Sequence, residues 1–372
     1  MAALENEGVE YIFAIPGEEN LDVLDSLRRS KIKLVLTRHE IEAGHASRVP
    51  AGGAARDSTE GKLMKVASIG ECMVELSDAG AGSFCRAFGG DTLNTALYLA
   101  RLGVETSYVT ALGDDPLSGI MLDAWSAEGI NIDEVVRLPG RLPGLYMIER
   151  DTLGERSFLY WRDRAPAREF FDLVDDLALE RLAHFDWLYL SGITLSLYSD
   201  RGRARLIELL TKARRNGGRV AFDGNYRPRG WSDAATARLV FENLLPYADL
   251  ALPTFDDEQL LFGDSDADSC AERLRAAGIA EIVVKMGPRG CVVYSEGNRI
   301  EVLPDAVLQP VDTTAAGDSF NAGYLAARIT GASVVEAARA GHCLAGAVIQ
   351  WPGAVIPRDA MPVHLVMQGT IA

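Results

Sequence analysis

Cysteine is scarce and scattered in the 372 residues: Cys72, Cys85, Cys270, Cys291 and Cys343 are odd in number and never spaced C-x-x-C. That pattern excludes a disulfide scaffold and points to reduced thiols. The five histidines are equally dispersed, with no metal-ligand spacing, so a structural zinc is not expected. No apolar run is long enough to span a bilayer, and the N-terminus lacks the basic-then-apolar order of a signal peptide. With the reduced thiols, this gives a cytoplasmic expectation. Positive charge is also short, 37 Lys and Arg against 53 Asp and Glu, a net −16 that no basic run offsets. Nucleic acid and anionic membrane are therefore not expected partners. An anionic small molecule is still admissible, because a few local arginines can override the average field. Missing too are a G-x-x-x-x-G-K-[ST] loop and a G-x-G-x-x-G after a strand, so neither device supports nucleotide binding.

What is present is ordinary globular material, 48% hydrophobic and 24% charged, enough for one large α/β domain or two smaller ones. Residues 48–63, RVPAGGAARDSTEGKL, read as a linker rich in small and polar residues. The chain restarts at Met64, and from there strand-like and helix-like patterns alternate. Strands are expected at Lys65–Ile69, Ser107–Ala111, Trp187–Leu190, Val220–Asp223, Leu250–Leu252 and Ile282–Lys285. Leu93, Ala96, Leu97 and Ala100 form one helical stripe; Leu206, Leu209, Leu210 and Ala213 form another, which should stop at Asn216-Gly217-Gly218. Such alternation favours a largely parallel sheet with helices on both faces. Residues 144–162, GLYMIERDTLGERSFLYWR, break the rhythm as a hairpin turning at Thr152–Glu155. On the edge of the sheet it would make a lid.

Two segments carry chemistry. In DTTAAGDSFNAG (312–323), small residues surround Asp318 where a helix begins. Ala316, Gly317 and Asp318 would present N–H groups to the negative charge of a phosphoryl group, with Asp318 placed as a base for a hydroxyl. The same residues would also suit an N-cap aspartate with small neighbours. In FGGDTLNTALYLARLG (88–103), Gly89 and Gly90 permit close approach, while Asp91 and Asn94 offer groups suited to sugar hydroxyls. A capped helix after a glycine turn is the alternative.

Together these segments resemble the ribokinase (PfkB-type) carbohydrate kinases, over residues 65 to about 360. That family has a GG segment at the sugar and D-T-x-G-A-G-D at the anion hole and catalytic aspartate. Here Ala315 replaces the first glycine of the latter, tolerable if its φ is negative. IGECMVELS (69–77), FDGNYRPR (222–229), VVKMGPRG (283–290) and GAVIPRDAMP (353–362) extend the likeness to the branch that acts on 2-keto-3-deoxygluconate. The resemblance implies a ribokinase-like three-layer α/β/α sandwich with a small β lid, and ATP with Mg2+ as cofactors. It implies Asp318 as base, with the Ala315, Ala316 and Gly317 backbone as anion hole. Gly89, Gly90, Asp91, Asn94, Tyr146, Tyr160 and Arg162 would meet the sugar, Arg162 holding its carboxylate with Arg164 as competitor. ATP would meet Asn225, Arg227, Lys285, Gly287 and Gly290, although Lys285 also reads as a solvated strand-end lysine. Where relatives carry N-x-x-E for magnesium, this chain reads FDDE, leaving Glu258 as ligand with help from Asp256 or Asp257. A neutral-sugar kinase such as a fructokinase, or a non-catalytic sugar sensor, is the alternative on the same fold. The expected partners are a sugar acid and ATP, with a homodimer through the lid as the family's common assembly.

Residues 1–47 stand outside that pattern. EGVEYIFAIPGEENLDVLDSLRRSKIKLVLTRHE resembles the start of the pyrimidine-binding domain of thiamine-diphosphate enzymes of the acetolactate synthase type, with Glu40 at the cofactor-contacting position. It reads as strand, helix, strand, with Leu21, Leu24 and Leu27 on the helix. The family's downstream G-D-G…N segment is absent, so a β-α-β remnant without thiamine chemistry is expected.

Overall fold

The computed structural model describes residues 11–14, 33–36, 64–80, 82–150, 156–362 and 365. The chain divides into two units, residues 1–62 and 63–372. In the first, β1 (Tyr11–Ala14) and β2 (Lys33–Leu36) pair in parallel, Tyr11 opposite Lys33. The expected helix between them, Glu40 and the linker lie outside the described residues.

In the second unit the strands are β3 (Lys65–Ile69), β4 (Met73–Gly80), β5 (Ser83–Gly89), β6 (Glu105–Gly113), β7 (Val135–Leu138), β8 (Leu145–Arg150), β9 (Arg156–Trp161), β10 (Trp187–Ser191), β11 (Arg219–Asp223), β12 (Leu250–Ala251), β13 (Glu281–Lys285), β14 (Cys291–Ser295) and β15 (Asn298–Val302). Nine of them form one sheet in the order β15-β14-β13-β12-β11-β10-β3-β6-β7. It is parallel from β7 to β13, and β14 and β15 run antiparallel at one edge. Every expected strand is found to within a few residues. Alternation along each strand feeds two cores: Ala67, Ile69, Leu188 and Leu190 face one helical layer, and Val66, Trp187 and Tyr189 the other. The helix Asp91–Arg101 buries Leu93, Ala96 and Leu97. Asp200–Arg215 buries Leu206, Leu209, Leu210 and Ala213, and Gly217 follows at φ 88. The layers are the α/β/α sandwich expected.

Sequence order departs in opposite directions from the adjacent pair β3 and β10, which makes a topological switch point. In open parallel sheets the crevice outside the strand carboxyl ends at such a point is where ligands bind. Gly70, Ser191, Asp223 and Lys285 lie at those ends.

The lid departs from expectation. β8 and β9 do form the antiparallel hairpin, Leu145 opposite Trp161, with the turn outside the described residues. They are not on the edge of the main sheet, however, but belong to a separate four-stranded sheet, order β5-β4-β8-β9. The residues after Gly70 thus leave the main sheet to build half the lid and return at Gly90. An isolated two-stranded hairpin is marginal in water, and two further strands make it a sheet.

Candidate active site

Asp318 lies in the first turn of the helix Ala316–Ile329, which has no side-chain N-cap. First-turn N–H groups have no partner within a helix, so this end is an anion site in waiting. Of the four expected donors, Ala316 N–H is already turned onto Thr313 O at 3.2 Å. Ala315 is the N-cap at φ 60, ψ 16. The negative φ foreseen for its methyl group is therefore corrected: Ala315 is left-handed, a conformation that costs a non-glycine residue about 1–2 kcal/mol. Residue 318 is half-buried. Loss of water around its carboxylate, then the negative charge of Asp91, push Asp318 up to about 8, against the hydrogen bond from Asn94.

The Gly90–Asn94 turn meets that aspartate directly. Asn94 Nδ2 donates to Asp318 Oδ2 at 2.8 Å, and Thr95 Oγ1 lies 3.2 Å from Asp318 O. Asp91 accepts from Asn225 Nδ2 at 2.6 Å and is raised chiefly by burial. Gly90 is required by contact: a Cβ there would lie 2.2 Å from Glu71 O and 3.1 Å from Cys72 Cα, both backbone. At Gly89 a Cβ would lie 2.1 Å from the Tyr146 hydroxyl, which donates to Glu75. Tyr160 faces Tyr146 across the hairpin, ring centroids 6.0 Å apart, and is exposed.

Arg162, which ends the hairpin, pairs with Glu71, whose side chain is 1% exposed against 19% for the arginine. Burial raises the Glu71 carboxyl while Arg162 opposes the shift. Glu71 Oε1 and Arg162 Nε are both buried without a hydrogen-bond partner. The arginine thus already has a carboxylate beside it. A cavity of about 550 Å³ is lined by Arg162 and Arg164 together with Tyr160, Leu145 and Val74.

Lys285 is no solvated lysine. It is 7% exposed, its Nζ donating to Asn321 Oδ1 at 2.9 Å and Asp223 Oδ2 at 3.2 Å. With Gly287, Gly290, Ala316 and Gly317 it lines a cavity of about 350 Å³ whose remaining wall is mostly apolar, including Val307, Leu308 and Ile349. Volume and lining suit a small planar ligand carrying an anionic tail. Gly290 is fixed less by ligand approach than by packing, since a Cβ there would lie 2.4 Å from Val302 O.

Asn225 and Arg227 do not line that cavity. Asn225 sits at φ 33 against Asp91, and Arg227 is exposed, donating to both Asp257 oxygens at 3.0 Å. Glu258 is buried, with Oε2 accepting from Arg273 Nη2 at 2.7 Å and Oε1 tucked under Gly224. Burial pushes it up to about 7. Glu258, Asp264 and Cys270 form a cluster of metal-ligand type, but Arg273 Nη2 reaches both carboxylates and supplies the cation. Sequence reasoning missed Glu71, Asp223, Asn321 and Tyr189. Asn321 stands inside the quoted DTTAAGDSFNAG, yet nothing in a helical asparagine marks it as buried.

Residues 64–361 match the pfkB family carbohydrate kinase, and residues 1–68 match the thiamine pyrophosphate enzyme N-terminal TPP binding domain. Over 306 residues the chain is 47% identical to a 2-dehydro-3-deoxygluconokinase of Escherichia coli K12, covering 80% of this chain and 99% of that one. A fructokinase of Vibrio alginolyticus is 30% identical over 260 residues, 69% of this chain and 81% of that one. Among solved structures, a PfkB protein from Polaromonas sp. JS666 aligns with TM-score 0.70 and 25% identity, covering 79% of this chain and 98% of that one. An E. coli putative ribokinase II in complex with ATP and Mg2+ aligns with TM-score 0.70 and 23% identity, covering 81% and 96%. None of the helices among the described residues is long and apolar enough to cross a membrane.

Proposed function

As a member of the pfkB family of carbohydrate kinases this chain is a sugar kinase, and we propose that it transfers the ATP γ-phosphoryl group to the terminal hydroxyl of 2-keto-3-deoxygluconate. Asp318 takes the hydroxyl proton, the oxygen bonds to the γ-phosphorus, and the bond to the β-phosphate oxygen breaks, leaving ADP. The single observation that carries this reading is the position of Asp318, between the Asp91 and Asn94 side chains, suited to sugar hydroxyls, and the Ala316–Gly317 floor of the cavity holding Lys285. The Gly317 and Asp318 N–H groups steady charge on the migrating group, and Lys285 neutralises it.

Arg162 anchors the substrate carboxylate, its partly free guanidinium adding what a neutral-sugar site does not need. The match to 2-dehydro-3-deoxygluconokinases, stronger than that to fructokinases, supports this acceptor. The cavity beside Lys285 takes the nucleotide.

Magnesium, when bound, neutralises charge on the β- and γ-phosphates. Glu258 fits it poorly because Arg273 occupies Oε2. Asp223, beside Lys285, has an oxygen to spare, its Oδ1 being buried without a partner. Residues 1–47 contribute no thiamine chemistry to this reading, and the lid is the surface for a homodimer.

A coupled ADP-release assay with 2-keto-3-deoxygluconate, its galactonate-type epimer and fructose tests the acceptor. The highest kcat/KM is expected for a keto-deoxy acid. A preference for fructose overturns the substrate assignment.

A further inference from the structure

Beneath the anion hole lies a buried polar chain. Asn321, fully buried on the helix that carries Asp318, uses both ends of its carboxamide. Its Oδ1 accepts from Lys285 Nζ at 2.9 Å, while Nδ2 reaches Asp223 Oδ2 at 2.7 Å and the Tyr189 hydroxyl at 3.0 Å. The Tyr189 hydroxyl lies 3.2 Å from Thr95 Oγ1, itself 3.2 Å from Asp318 O. One set of contacts therefore joins the lysine at the end of β13, the aspartate at the end of β11, and the backbone of the proposed base.

The lysine's reach shows what is being positioned. A Cβ built on Gly317 would meet Lys285 Nζ at 3.6 Å, and no other atom beyond its chain neighbours and its own helical turn within 4 Å. The ammonium thus stands beside the glycine whose N–H opens the anion hole. A lysine has four side-chain torsions and is costly to hold in one place. Asp223 alone would draw Nζ toward itself, whereas Asn321 adds a neutral second acceptor and ties the carboxylate down by donating to it. An aspartate at 321 would set two carboxylates against each other; an apolar residue would leave Asp223 with only Lys285.

We infer that Asn321 is a positioning residue for phosphoryl transfer: it fixes the Lys285 ammonium against the Gly317 edge of the anion hole. The inference rests on the sugar-kinase reading of this site but not on which sugar is the acceptor, so the test uses whichever sugar the wild-type enzyme turns over best. Asn321→Leu is made in the wild-type chain and in Lys285→Met, and kcat and both KM values are measured, with thermal midpoints as the folding check. In the wild-type background kcat should fall about 10- to 100-fold, as for groups that orient a functional residue, with the sugar KM changed less than about threefold. In Lys285→Met the same change should cost less than about threefold further, because the residue it serves is gone. Should the leucine variant not fold, Asn321→Ser is read through the same cycle. An equal loss in both backgrounds, or no loss of kcat in the wild type, overturns the inference.

Discussion

Asn94 and Asp318 stand 224 positions apart in the chain and are joined by a 2.8 Å hydrogen bond from the Asn94 carboxamide to Asp318 Oδ2. That contact brings the helix after the glycine pair onto the helix after the small-residue loop. It also favours the ionised form of a carboxylate that burial and the charge of Asp91 disfavour.

The first consequence is a pH profile. Asp318 must be ionised to accept a proton, and it is pushed up to about 8 by burial and by Asp91. kcat/KM should therefore fall as pH drops through about 8, well above the ordinary carboxylate range. Asp91→Asn removes a negative neighbour and should move the acid limb to lower pH. Asn94→Leu removes the donor and should move it to higher pH. Profiles of the three enzymes check both signs.

Stability carries the same shift with the opposite cost. The folded Asp318 carboxyl keeps its proton from the ordinary carboxylate value of 3.8 up to about 8, a range in which the unfolded chain has lost it. The folded state then binds more protons, so stability falls as pH rises through that window. Asp318→Asn does not titrate. Its thermal midpoint should gain on that of wild type as pH is raised through the window, measured by calorimetry.

Gly90 and Arg162 separate packing from recognition. At Gly90 a methyl group would lie 2.2 Å from Glu71 O, a backbone atom that cannot swing away. Gly90→Ala should cost about 1–3 kcal/mol in denaturant unfolding and raise the sugar KM. Arg162→Ala removes the hydrogen-bonded partner of the buried Glu71 carboxylate, at a cost of about 3–5 kcal/mol. Adding Glu71→Gln should recover that stability without restoring the KM for a keto acid, and a return of KM would remove Arg162 from the substrate.

Ala315 gives a prediction in the favourable direction. Its φ of 60 is a conformation glycine adopts freely. Ala315→Gly should raise stability by up to about 1 kcal/mol, relief of strain being partly offset by the greater freedom of the unfolded chain. Activity should be retained, as read by unfolding midpoints and steady-state rates.

Much of this was legible in the sequence because it is local. The strand from Lys65 to Ile69 and the Leu206–Ala213 stripe announce themselves by period, and DTTAAGDSFNAG by its small residues around one acid. The rest depends on distant partners. Half the lid does not show in the sequence because β5 is largely exposed and β4 meets β8 only through long-range pairing, Val74 opposite Leu145. Lys285 gave no sign of its burial, since Asp223 and Asn321 are separated from it by 62 and 36 positions. Glu258 reads as a ligand from its place in FDDE, and only the fold reveals Arg273 beside it. The sign of φ at Ala315 follows from the turn rather than from alanine, so no composition rule could supply it.

The role of residues 1–63 is open to direct trial. Since the pfkB match begins at residue 64, deleting 1–63 should leave kcat and KM within about twofold and bind no thiamine diphosphate. A large loss of activity from a folded truncated protein would give the leading segment a part in the kinase.

The central claim is that Asp318 removes the acceptor proton. Asp318→Asn keeps the size and shape of the side chain and cannot act as the base. Its kcat for the preferred sugar should fall about 100- to 10,000-fold, with the KM values for ATP and sugar within about threefold of wild type. Turnover at the wild-type rate by a pure, folded Asp318→Asn enzyme would contradict the account.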